Sequence, residues 1–282
     1  MPVTLRLSRP ANKGRIQEDA NIMRTALVGG GASGIGHAIA ERLACSGDRV
    51  VITGRHADTL EAAAAQLCRA VGDGTASEVH ALVSDMADPA SAAAAMEEVE
   101  HRHGGLDVLV LNAGGPPPGG ILDLDDTRWQ EASELLLLGP LRLARLAMPG
   151  MAKRGFGRVV FVTSTAVRQP QPDLAASVVL RSAVTAAAKL LSLEFAAEGV
   201  TVNCVAPGAT ATERRTQILA NRARAAHRGF DELDAQDLAQ IPAGRAARPA
   251  EIAAAVAFLA SDDAAYINGT VLTVDGGRTE TI

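Results

Sequence analysis

Short apolar runs alternate with longer stretches whose apolar positions recur at helical spacing. Residues 24–28 read as a strand that runs into Gly29-Gly30-Gly31, and residues 35–45 read as the helix that follows. The alternation continues: strands at 49–53, 79–84 and 107–111, and helices at 58–71 and 89–102. A long helical region covers 127–154, and its wholly apolar middle, Leu135 to Leu138, is expected to be buried. Strands at 157–163 and 200–206 flank a helix at 174–197. A polar, arginine-rich segment follows at 212–247, then a helix at 249–260 with Pro249 in its first turn and a last strand at 270–274. Repeated strand–helix units predict one doubly wound α/β domain. Its sheet should hold about seven mostly parallel strands, with a ligand crevice beyond their carboxyl ends. Residues 1–22 carry no such pattern and read as a flexible N-terminal extension to a domain spanning 23–282.

Composition narrows the function classes. With 282 residues, 48% of them hydrophobic, and a mean hydropathy of +0.12, the chain can bury a large core. The net charge of -5 lacks the basic excess of a nucleic-acid binder. No uninterrupted apolar run reaches the roughly 18–20 residues of a membrane span, and no secretory signal core opens the chain. A cytoplasmic protein is expected, with Cys45, Cys68 and Cys204 as reduced core thiols and no metal site at His101 and His103.

The glycine cluster carries the chemistry. Leu27-Val28-Gly29-Gly30-Gly31-Ala32-Ser33-Gly34-Ile35-Gly36 ends a strand and opens a helix. Glycines allow a tight turn, let a pyrophosphate approach the backbone and bring the helix start near the sheet. The helix N-terminus then offers free N–H groups and its positive dipole end to the phosphates. Gly30, Ala32, Ser33, Gly34, Ile35 and Gly36 are therefore candidate cofactor contacts in a Rossmann fold. At the end of the second strand, Thr53-Gly54-Arg55-His56 offers no carboxylate to hydrogen-bond an adenine ribose, and Arg55 can pair with a 2′-phosphate. NADP(H) is favoured over NAD(H).

The spacing Gly30-x-x-x-Gly34-x-Gly36 resembles the TGxxxGxG motif of the short-chain dehydrogenase/reductase family, with Gly29 in place of the leading threonine. Asp85, beside Met86, resembles the family's adenine-contacting aspartate. Asn112-Ala113-Gly114 resembles the end of its NNAG motif, Pro207-Gly208 followed by Thr212 its PGxxxT segment, and Val274-Asp275-Gly276-Gly277 its VDGG turn. The resemblance covers residues 24–277. It implies hydride transfer between NADP(H) and a carbonyl or alcohol substrate, with 3-oxoacyl thioesters as one natural class. It also implies a homotetramer or homodimer.

At the catalytic positions the pattern breaks. Ser164 matches the family's serine, but its tyrosine falls at Ser177, its lysine at Arg181 and its relay asparagine at Leu136. The only tyrosine, Tyr266, lies far along the chain. A phenol, with a reference pKa of about 10, can be tuned towards neutrality, whereas an aliphatic hydroxyl is a far weaker acid and an arginine stays charged. Ser164, Ser177 and Arg181 remain the candidate catalytic residues, Arg181 also as a ribose contact. Two readings stay open. One is an oxidoreductase in which Arg181 stabilises the alkoxide and water or substrate supplies the proton. The other is a catalytically impaired NADP(H)-binding sensor or subunit partner.

On the substrate side, the loop from Gly114 to Gly120 holds three prolines and is expected to wall one side of the cleft. The segment at 212–247 matches the family's substrate lid. Arg214, Arg215, Arg222, Arg224 and Arg228 form either an anion-contacting cluster or a solvated helix face.

Overall fold

A computed structural model describes residues 23–71 and 78–281; the N-terminal extension expected at 1–22 lies outside the described residues. Seven strands form one wholly parallel sheet: β1 (Thr25–Gly29), β2 (Arg49–Gly54), β3 (Val79–Val83), β4 (Val108–Leu111), β5 (Gly157–Val162), β6 (Val200–Pro207) and β7 (Val271–Val274). Their order is β3-β2-β1-β4-β5-β6-β7. The chain leaves β1 in one direction for β2 and β3, then returns past it for β4. The crevice of such a sheet opens at this reversal, between the carboxyl ends of β1 and β4.

The central strands carry unbroken apolar runs because both faces of the sheet are covered. On one face α1 (Gly34–Cys45), α2 (Ala57–Val71) and α9 (Pro249–Ala260) pack on Val28, Ile52, Val110 and Val160. On the other, α3 (Pro89–His103), α5 (Gly139–Arg154) and α6 (Ala175–Glu194) pack on Leu27, Leu109, Val159 and Phe161. A third, smaller cluster joins Leu136, Leu180 and Trp129 beneath α4 (Asp126–Ser133). Local chemistry sets the ends. Asp88 caps α3 by accepting from Ala90 N at 2.9 Å, Pro89 follows it, and Gly104 ends the helix at φ 72°.

Two expectations need correction. The run Leu135 to Leu138 is not buried throughout: only Leu136 is, and Leu138 is 43% exposed, because these residues form a π-helical turn (Glu134–Leu138) between α4 and α5 that spreads the side chains around the axis. The cysteines are not all core residues, since Cys45 and Cys68 are exposed and Cys204 alone is buried. The absence of an uninterrupted apolar run is not contradicted by the helices Asp126–Arg154 and Ala175–Glu194, which by length and mean composition alone could cross a bilayer. Both instead cover the sheet, with Leu143, Met148 and Val184 in the core.

Candidate functional site

The turn after β1 is built by crowding. Gly30 and Gly34 have φ of +60° and +55°, a region that side-chain-bearing residues rarely enter. A Cβ on Gly36 would lie 2.1 Å from Gly30 O, so α1 starts directly against the turn. A Cβ on Gly29 would lie 2.8 Å from Asn112 O and 2.9 Å from Met86 Cε. The leading threonine of the motif therefore has no room here, and Met86 fills part of that space. Asn112 locks the two strand ends together by donating from Nδ2 to Gly29 O at 3.0 Å.

Ser33 caps α1 in an extended conformation but makes no side-chain cap bond, so the N–H groups of the first turn face the crevice with nothing of the helix's own to accept from them. Gly34, Ile35, Asn112, Gly114, Thr212 and Arg214 line the cleft here. A second opening, at the far end of the crevice, is lined by Arg55, Asp85 and the loop residues Gly115 to Pro117. Arg55 is exposed, and β2 ends beside it without an acid. These features fit a dinucleotide: an open helix terminus for a pyrophosphate and a guanidinium that, among the described residues, has no acid opposite it, for a further phosphate. The side chain of Met86, another expected contact, packs in the core.

The third opening, a cavity of about 200 Å³, joins Ile35, Ser164, Pro207, Gly208, Thr212 and Arg214. Ser164 follows β5, and its Oγ accepts from Ala166 N at 3.1 Å, which fixes the side chain while leaving its proton to donate. Arg181 sits one turn along α6 from Ser177. It donates from Nε to Ser177 Oγ at 3.2 Å, from Nη1 to Val162 O at 2.7 Å and from Nη2 to Ala113 O at 3.3 Å. It thus ties the exits of β4 and β5 together from behind the cavity, whose lining includes neither Arg181 nor Ser177. Burial, and secondarily the positive charge of Arg214, pull its pKa down to about 10. It still carries its charge at neutral pH. Leu136, where the motif has an asparagine, is buried in the π-helical turn.

The segment expected to form the substrate lid holds two helices, α7 (Glu213–Ala226) and α8 (Phe230–Ala239), and its arginines divide. Arg214, Arg215 and Arg222 line the cavity, whereas Arg224 and Arg228 are exposed and bond Asn221 and Glu232 of the lid itself. Sequence reasoning missed Arg278 and Asp237, which also line the cavity. Arg278 Nη1 lies 2.8 Å from Asp237 Oδ1, tying the segment after β7 to the lid. Only the position of Arg278 just after the VDGG turn could have signalled it.

Comparison with known proteins agrees with this geometry. The sequence profile of the enoyl-(acyl carrier protein) reductase family matches residues 30–279. The 3-oxoacyl-[acyl-carrier-protein] reductase FabG of Haemophilus influenzae is 35% identical over 254 residues, 90% of this chain and 97% of that protein. An actinorhodin polyketide ketoreductase crystallised with NADPH superposes with a TM-score of 0.87 at 32% identity, covering 93% of this chain and 99% of that one. L-Sorbose reductase from Gluconobacter frateurii, complexed with NADPH and L-sorbose, gives a TM-score of 0.86 at 32% identity, covering 92% and 98%. The sheet order, the glycine turn and these matches across nearly the whole chain lead to one conclusion: this protein belongs to the short-chain dehydrogenase/reductase family.

Proposed function

We propose that the protein is an NADP(H)-dependent oxidoreductase that interconverts a small carbonyl compound and its alcohol. The observation that carries this reading is the meeting of three motifs in one crevice: the glycine turn, Asn112-Ala113-Gly114, and Pro207-Gly208 beside Ser164. Gly30, Ala32, Ser33, Gly34, Ile35 and Gly36 would hold the pyrophosphate, Arg55 the 2′-phosphate, and Asp85 the adenine. Asn112, Ala113, Gly114, Arg181, Pro207, Gly208 and Thr212 would line the nicotinamide end. When bound, the dinucleotide supplies or accepts a hydride, a reaction that asks the protein mainly for orientation. The NADPH-bound structural relatives favour the phosphorylated cofactor.

In this reading Ser164 donates its hydroxyl proton in a hydrogen bond to the substrate oxygen. Arg181 supplies a fixed positive charge near the same oxygen and lowers the cost of negative charge developing there. Ser177 accepts from Arg181 Nε, so its own proton remains available to donate. Neither serine can act as a free acid near neutrality, and the arginine cannot give up its proton, so the proton consumed in reduction comes from solvent or from the substrate. Titration with NADPH and NADH, followed by NADPH consumption across carbonyl substrates that include 3-oxoacyl thioesters, tests the reading. Turnover that falls strongly in Arg181→Ala supports it, and failure to bind either nucleotide overturns it.

A second reading, a nucleotide-binding sensor or subunit partner with little turnover, draws on a specific observation. Arg181 spends three hydrogen bonds on Ser177 and two backbone carbonyls, and Leu136 offers no polar group. Tight NADPH binding with no turnover across a broad carbonyl and alcohol panel would favour it.

A further inference from the structure

Resting on the oxidoreductase reading, we infer that the substrate carries a carboxylate and that Arg214 is the residue that recognises it. The argument begins with the charges around the cavity that holds Ser164. Four arginines line it: Arg214, Arg215, Arg222 and Arg278. Three are already matched to acids. Arg215 lies 2.7 Å from both Asp234 and Asp237. Arg222 grips Asp173 with two bonds, of 2.6 and 2.9 Å. Arg278 shares Asp237 at 2.8 Å. Three guanidinium groups thus face three carboxylates, and the set is neutral.

Arg214 stands outside that balance. Among the described residues no carboxylate comes within ion-pair distance of it, and its one hydrogen bond, from Nη2 to Pro116 O at 2.5 Å, is to a neutral carbonyl. Its guanidinium lies over Gly115, where a Cβ would come within 2.7 Å of Nη2, so the glycine makes room for it. Burial pulls its pKa down, as expected of a cation with nothing opposite it. Arg181, its neighbour in charge, is also without an acid among the described residues. Glu213 and Asp275 are nearby acids, but Glu213 is exposed with Oε1 accepting from Gln217, and Asp275 accepts from the backbone of Gly277 and Thr279.

A partly buried, unpaired guanidinium is costly unless an anion arrives to meet it. The dinucleotide's own anions have other receptors: the amino end of α1 for the pyrophosphate and Arg55 for the 2′-phosphate. Arg214 lines the cleft at the amino end of α1 as well as the cavity that holds Ser164; with the pyrophosphate met by the helix N–H groups, its charge is assigned to a negative group on the substrate. A carboxylate suits it, because a planar guanidinium takes one through two parallel bonds. Ser164 would then hold the reacting carbonyl while Arg214 fixes the other end of the molecule.

Matched pairs of probes test this: acetoacetate against methyl acetoacetate and the N-acetylcysteamine thioester of acetoacetate, and levulinate against methyl levulinate, each with saturating NADPH. Wild-type protein should favour the acids in kcat/KM by about 10-fold or more, the range of a charge-assisted bond. Arg214→Met should bring that ratio close to one, while Arg214→Lys keeps part of it. Calorimetry of acetoacetate and its methyl ester, with and without NADPH, gives the same comparison where turnover is absent. The inference is overturned if esters or thioesters match or outdo the acids. It is equally overturned if acetoacetate shows no binding, or if Arg214→Met loosens NADPH by 10-fold or more with the acid preference intact, since the guanidinium would then serve the cofactor. Lack of NADPH binding by the wild type defeats the oxidoreductase reading instead, and the acid-versus-ester binding comparison still decides Arg214.

Discussion

Replacing Gly36 with alanine adds one methyl group where the molecule has no space for it. The new Cβ would lie 2.1 Å from Gly30 O and 2.7 Å from Gly30 C, both backbone atoms that cannot rotate away. An ordinary contact for that carbon is about 3.5 Å, so the start of α1 must retreat by roughly 1–1.5 Å from the turn. Two consequences follow from that distance. Overpacking of this kind costs about 1–3 kcal/mol, because Ile39, Ala40 and Leu43 must shift against the sheet with the helix. At roughly 2–4 °C per kcal/mol for a domain of this size, the melting temperature should fall by about 2–12 °C. The N–H groups that would meet the pyrophosphate move by the same amount, and a misplacement of about 1 Å can cost on the order of 100-fold. NADPH affinity, measured by calorimetry below the melting range, should drop on that scale. Gly150→Ala is the contrast: its Cβ meets only the tip of Arg154, at 3.4 Å, within a helix. It should stabilise the protein by about 0.5–1 kcal/mol and leave NADPH affinity alone. If Gly36→Ala melts and binds NADPH like the wild type, the claim that the turn is held by backbone contact is wrong.

Thiol chemistry offers an independent check on the packing. Burial pushes the Cys204 thiol up to about 12, whereas Cys45 and Cys68 are exposed. A thiol reagent at pH 8 should titrate two cysteines in the folded protein and three in denaturant, and three rapid reactions in the native state would contradict the core assignment. The lid contacts should respond to acid. Burial raises the Asp237 carboxyl, but bonds from Arg215 and Arg278 outweigh it and leave the pKa below its usual 3.8. Its folded value is depressed, so its stabilisation is full above the unfolded value and lost as pH falls through the folded one. Melting temperature should decline below about pH 4, and less steeply in Asp237→Asn, whose own baseline is lower; parallel curves would place the acid sensitivity elsewhere.

Much of this architecture was legible in the residues. Val, Leu and Ile runs bounded by glycine or proline marked the strands, since a sheet covered on both faces needs continuous apolar segments rather than alternation. The phosphate turn was legible because its glycines are demanded by sterics that sequence spacing reflects. The π-helical turn at Glu134–Leu138 was not, because four leucines fit either helix type and the choice depends on close packing around Gly139, where a Cβ would sit 2.4 Å from Met86 O. The arginine cluster was legible as a cluster but not as a set of roles. Arg222 and Arg224 are two residues apart, yet one finds Asp173 across the cavity and the other finds only Asn221 beside it. The partners lie 49 and 3 positions away, and nothing local distinguishes them.

The bond between Arg278 and Asp237 ties the chain's tail to the roof of its cleft. Any outward swing of α8 must either pull a guanidinium from its acid or drag the closing residues along. Ionic strength should therefore govern how readily the roof lifts, and any pull on the segment around Arg278 would act on the doorway through which reactants come and go.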